Sequence, residues 1–154
     1  MDTATATDAA LARRVSRVSN DYLLRALRLL TDIHHGDMVD AIICQAIIAA
    51  NTGHLVDSRD ATDEAHGAGG LPGDAARKPI SILALAGSLG LPFETTRRHV
   101  NRLIKIGSCQ RVKGGVIVPA GTLADPRFLH AAETNLAYVM RFVRGLKRAG
   151  VPLD

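Results

Sequence analysis

Between Ile80 and Pro119 the polar and apolar positions follow first a helical period and then an alternating one. Ile82, Leu85, Ala86 and Leu89 recur at three- and four-residue steps, which predicts a helix over about Ile82 to Ser88 with Ser81 as its N-cap. Gly90 stands where a helix must end in a left-handed residue and turn sharply. Leu91 is apolar inside that turn, a plug for the angle between two helices, and Pro92 suits the start of the next one. The second helix is predicted from Phe93 to Ile106, stopped by Gly107. Thr96, Val100, Leu103 and Ile104 give it an inward side, while Thr95, Arg98, His99 and Arg102 fall at i, i+3, i+4 and i+7 on one outward face. Two β-prone runs then flank Gly114-Gly115, which predicts a hairpin with Arg111 and Lys113 near its tip.

The same patterns divide the rest of the chain. Residues 1–18 read as a flexible N-terminal arm: Met1 to Ala10 is small and polar, and Leu11 to Val18, with Arg13, Arg14 and Arg17, reads as either a helix or a loose basic arm. Residues 19–53 read as a helical pair. Leu23, Leu24, Leu27, Leu30 and Ile33 line one side of the first helix, which His34-His35-Gly36 ends. The second, from Met38 to Asn51 with Asp37 as cap, is apolar nearly all round and is therefore expected to be central and buried on several sides. Residues 54–78 carry Gly, Asp and Ala without an apolar period and read as a mobile connector. The Lys78-Pro79-Ile80 segment is a candidate strand against the hairpin. Asp125-Pro126 opens a last helix over about residues 125–148, with a stripe of Phe128, Leu129, Ala132, Leu136, Val139, Met140, Val143 and Leu146 and a second edge of Tyr138 and Phe142. That stripe predicts packing against the first long helix and against the same elements of a second copy.

Composition narrows the picture. The chain has no Trp and only 3% aromatic residues, so its core must be built from Leu, Ile, Val and Ala. Net charge is +4, but unevenly placed. Pro92 to Lys113 holds six basic residues against Glu94, whereas Thr52 to Ala76 holds five acidic residues against Arg59. A basic motif beside an acidic connector points to an anionic partner. Cys44 and Cys109 have no CxxC or Cys-His pairing, which suggests a reducing compartment. The N-terminus has no apolar core of a signal peptide, and the longest apolar run, Ala41 to Ala50, is too short for a bilayer; a cytoplasmic protein is expected. His34, His35 and Asp37 lack helical metal-ligand spacing, and no nucleophile motif or phosphate loop is present, so neither enzyme chemistry, a metal nor a cofactor is expected.

The run LAGSLGLPFETTRRHVNRL, the Gly107-Ser108 that follows, and RVKGGVIVP together resemble the winged helix-turn-helix domain of bacterial transcription regulators of the general MarR or IclR type. The resemblance covers about a quarter of the chain. It implies a mainly α fold with a small β-hairpin wing over residues 79–120, flanked by long helices. It also implies double-stranded DNA as partner, a second helix in the major groove, a wing on the backbone, and a homodimer. Thr95, Arg97, Arg98, His99 and Arg102 would then meet the groove and its phosphates, and Arg111 and Lys113 the backbone. The family often has Ser or Thr where Pro92 stands, so one phosphate contact is not carried over. An alternative of another class is a protein-interaction module on the same scaffold, acting through its long helices.

Overall fold

The computed structural model describes residues 3–56, 71 and 73–153. Its elements are α1 (Thr3–Ile33), α2 (Met38–Val56), α3 (Ile82–Leu89), α4 (Phe93–Lys105), β1 (Gln110–Val112), β2 (Gly115–Ile117), α5 (Ala120–Leu123) and α6 (Pro126–Ala149). The fold is mainly α with one two-stranded antiparallel hairpin. β1 and β2 pair Gln110 with Ile117, Arg111 with Val116, and Val112 with Gly115.

The core lies where α2, α3, α4 and the hairpin converge. Ile43, Cys44 and Ile47 of α2 meet Leu85 of α3, Val100 and Leu103 of α4, and Cys109, Val116 and Val118 around the hairpin. The expected central role of α2 holds, but the helix runs on to Val56. Met38–Leu55 is then long and apolar enough, by length and composition, to cross a bilayer, contrary to the reading of its apolar run. About a third of that stretch is buried, including Asp40 and Asn51, while Met38 and Ile42 stay exposed, so α2 is not covered on every side. Asn51 is the polar knot of the junction. Its Nδ2 donates to Lys78 O (2.7 Å) and Val116 O (3.3 Å), and its Oδ1 accepts from Val118 N (2.9 Å).

The local signals around the turn act as expected. Ser81 accepts from Ala84 N, and Gly90 ends α3 at φ 64°. Leu91 is half-buried against the core. Ile80 and Val116 exchange both backbone hydrogen bonds, at 3.2 and 2.9 Å, as a single bridge rather than a strand. That bridge requires Gly115. A Cβ there would stand 2.2 Å from Ile80 O, and φ is +151°.

The flexible arm expected over residues 1–18 is instead helical from Thr3 onward and continuous with the rest of α1, which selects the helix of the two alternatives for Leu11 to Val18. The physical reason lies far away in sequence. Leu11, Val15, Val18 and Tyr22 are half-buried at helical spacing, and α6 runs antiparallel beside them. Tyr22 packs on Phe142 with centroids 5.2 Å apart and its hydroxyl donates to Asn135 Oδ1 (3.3 Å). Arg14 Nε donates to the last carbonyl of α6, Ala149 O (3.1 Å). So α6 meets α1 through Asn135, Tyr138, Phe142, Gly145 and Ala149, a three-four spacing like that of a coiled-coil seam. The edge of Tyr138 and Phe142 is the packed one. Leu136 and Met140, from the expected stripe, are exposed, as are Leu23 and Leu24 of α1.

Of the expected connector, residues 54–56 belong to α2, and 57–70 and 72 lie outside the described residues. Its far end is anchored. A 3-10 turn at Asp74–Ala76 places Asp74 Oδ1 to accept from Ala120 N (2.7 Å), and Lys78 N donates to Asn51 O (3.1 Å).

Candidate nucleic-acid interface

Helix α4 is set by its buried side. Thr96, Val100 and Leu103 are buried, and the Thr96 hydroxyl donates to Pro92 O (3.2 Å). Helical geometry then turns Arg98, Asn101 and Lys105 outward, with Arg97 beside them. All four are exposed. Glu94, Thr95, Arg97, Arg98 and Asn101 line an open depression of about 360 Å³ on this surface. Arg97 is held by Glu94, at 2.7 and 3.0 Å. The helix before it presents nothing to Arg98 or Lys105: among the described residues neither has an ion pair or side-chain hydrogen bond.

The hairpin is tied to this face. Arg111 Nη2 donates to Asn101 Oδ1 (3.0 Å), which joins β1 to the outward side of α4. Lys113 is exposed in the turn between the strands. Arg98, Asn101 and Arg111 therefore form one donor-rich surface over helix and hairpin, with Lys113 exposed in the hairpin turn. Asn101 was not legible in the sequence as part of this face, because it is uncharged and acquires its role only from Arg111, ten residues on. Its helical offset from Val100 and Arg98 was the available signal.

His99 and Arg102 behave differently from the outward face expected of them. Both turn toward the start of α2. His99 Nδ1 lies 2.7 Å from Asp40 Oδ1, and Arg102 Nε donates to Asp40 Oδ2 (2.7 Å). Arg102 Nη2 also reaches Asp37. Asp37 caps α2 by accepting from Asp40 N (2.9 Å). A buried carboxylate at Asp40 needs such partners, and α4 supplies both. His99 and Arg102 thus fasten α4 to α2. The guanidinium of Arg102 remains half-exposed and holds the Asp37 carboxyl below its ordinary range. The depressed group contributes stability above its ordinary value of about 3.8, which is lost as pH falls further.

Asp37, Asp40 and His99 also bring one ligand atom each within 4.8 Å of one another. They could hold a divalent cation only if Arg102, which already balances the two carboxylates, moved away. The two cysteines are buried free thiols in one core cluster. A hydrogen bond with Cys109 and burial push the Cys44 thiol up, as suits inert core residues.

Comparison with known protein families, with curated proteins and with solved structures found no match.

Proposed function

We propose that this chain is a sequence-specific DNA-binding transcriptional regulator built on a winged helix-turn-helix. Helix α4 enters the major groove and the β1–β2 hairpin lies on the backbone. The observation that carries this reading is the outward surface of α4: Arg98 and Lys105 unpaired among the described residues, Arg97 alongside, and Asn101 joined to Arg111 of the hairpin. Forked Arg donors suit guanine edges and Asn suits adenine. Lys113 supplies a mobile positive charge for phosphate. His99 and Arg102 set the angle of α4 against α2, and Arg102 offers its half-exposed edge to a phosphate.

The test is a pair of substitutions. Arg98→Ala should weaken binding to the preferred site by about 1–3 kcal/mol and relax its base preference. Lys113→Ala should weaken all sequences alike and reduce the salt slope by about one. Unchanged affinity and preference in Arg98→Ala would remove α4 from the groove.

Readers of this kind bind as two-fold dimers. Exposed Leu23, Leu136 and Met140 on the long helices supply an apolar surface for a second copy. The same residues favour the second reading, a protein-interaction module. In that case duplex DNA binds weakly and without preference, while the surface of α1 and α6 still captures a partner.

A further inference from the structure

The densest positive charge in the molecule is not on α4. Residues 13–28 of α1 and 138–148 of α6 hold nine Arg or Lys against one acid, Asp21, in a chain whose net charge is only +4. Five of these arginines converge on a groove of about 390 Å³ between the two helices: Arg17, Arg25, Arg141, Arg144 and Arg148. Tyr22, Tyr138 and Phe142 line the same groove. Asp21 accepts from Arg25 and from Arg141, at 3.2 Å each, and so neutralises part of this charge. Arg17, Arg144 and Arg148 have no ion-pair partner among the described residues. Arg141, Arg144 and Arg148 stand at three- and four-residue steps on one helix, where like charges repel.

We propose that this groove is a binding site for a compact, multiply charged phosphate compound of the pyrophosphate or nucleoside-diphosphate class. Five guanidinium groups against one carboxylate leave a surplus that a single carboxylate or sulfate does not balance. A diphosphate brings several charges within a few ångströms and accepts forked hydrogen bonds from more than one Arg. The groove has the size of a small-molecule site. Tyr22, Tyr138 and Phe142 in its lining offer ring faces beside the guanidinium groups, a surface on which a nucleoside base can pack. The concave form between two helices favours such an anion over the convex backbone of a duplex. The inference is independent of DNA binding by α4, because no residue is shared.

Calorimetric titration with inorganic pyrophosphate and with ADP at physiological salt tests it, alongside thermal melting. The expected result is saturable binding at one site per chain, with a rise in Tm on adding pyrophosphate that an equal ionic strength of chloride does not give. Arg144→Ala/Arg148→Ala should weaken binding about tenfold or more and abolish the rise in Tm. Arg17→Ala, on the opposite helix, should weaken it in the same direction. Both variants should melt no lower than the parent without ligand, since removing like charges relieves repulsion. Arg98→Ala should leave the titration unchanged. Absence of saturable binding of either compound, or binding indifferent to the arginine substitutions, would overturn the proposal. So would duplex DNA binding lost through Arg144 and Arg148 while neither small anion binds.

Discussion

Asn51 has no exposed surface and directs both its donor and its acceptor into the junction of α2, the segment before α3, and the hairpin. Removing it strands the buried Val118 N–H and takes a donor from Lys78 O, while Val116 O keeps Ile80 N–H. Asn51→Ala is therefore expected to cost about 3 kcal/mol, read as a lower urea midpoint, with the hairpin affected before α1 and α6. His34 is a second residue whose burial has a measurable consequence. Burial lowers its pKa, favouring the neutral ring in the folded state. In the unfolded chain the ring protonates at its ordinary value of about 6.5. The unfolded state thus binds the proton first, and stability should fall as pH drops below about 6.5. His34→Leu should flatten that dependence in urea titrations between pH 7.5 and 5; a slope untouched by the substitution would contradict the assignment. Neither role could be read from the residue's neighbours in sequence. Asn51 sits at the end of an apolar helix, and only the tertiary approach of residues 78 and 116–118 gives its amide anything to bond. Asp37 and Asp40 are a similar case, since their partner Arg102 is 65 and 62 residues away.

At the scale of elements, the turn between α3 and α4 was legible because its chemistry is local. Ser81, Gly90 and Pro92 act within three or four residues of themselves, and their positions alone fix the helix ends. The hairpin was legible for the same reason, through Gly114 and Gly115. The seam between α1 and α6 was not. A search for large apolar residues favours Leu129, Leu136 and Met140, whereas close approach of two helices selects small ones, Gly145 and Ala149. The contact at Gly145 is tight. A Cβ there would meet Val18 Cγ1 at 2.7 Å, and Val18 is β-branched and stiff. Alanine ordinarily gains helix propensity over glycine by about 1 kcal/mol. Gly145→Ala is nonetheless expected to destabilise, by about 1 kcal/mol net, through overpacking. Val18→Ala in the same chain should relieve it, giving a favourable coupling in a double-mutant cycle by urea denaturation. Strict additivity would mean that α1 and α6 do not approach this closely.

At the scale of the whole molecule, charge and apolar surface are separated by element. α4 and the hairpin carry one basic surface, α1 and α6 carry another, and the exposed leucines and Met140 lie on the long helices. This division suits a protein whose recognition helix faces a duplex while its long helices join two copies. It also explains why the outward set of α4 was only partly legible. Periodicity gives the angle of a side chain around its own helix, but not the acid on another helix that draws it aside, as Asp40 draws His99 and Arg102. The most direct measurement is selection from random-sequence duplex DNA with the full chain, followed by affinity against salt for the enriched sequence. A palindromic site, half-sites one helical turn apart, and a steep loss of affinity with salt are the expected result. Binding that is weak, indifferent to sequence and gone at physiological salt would contradict it.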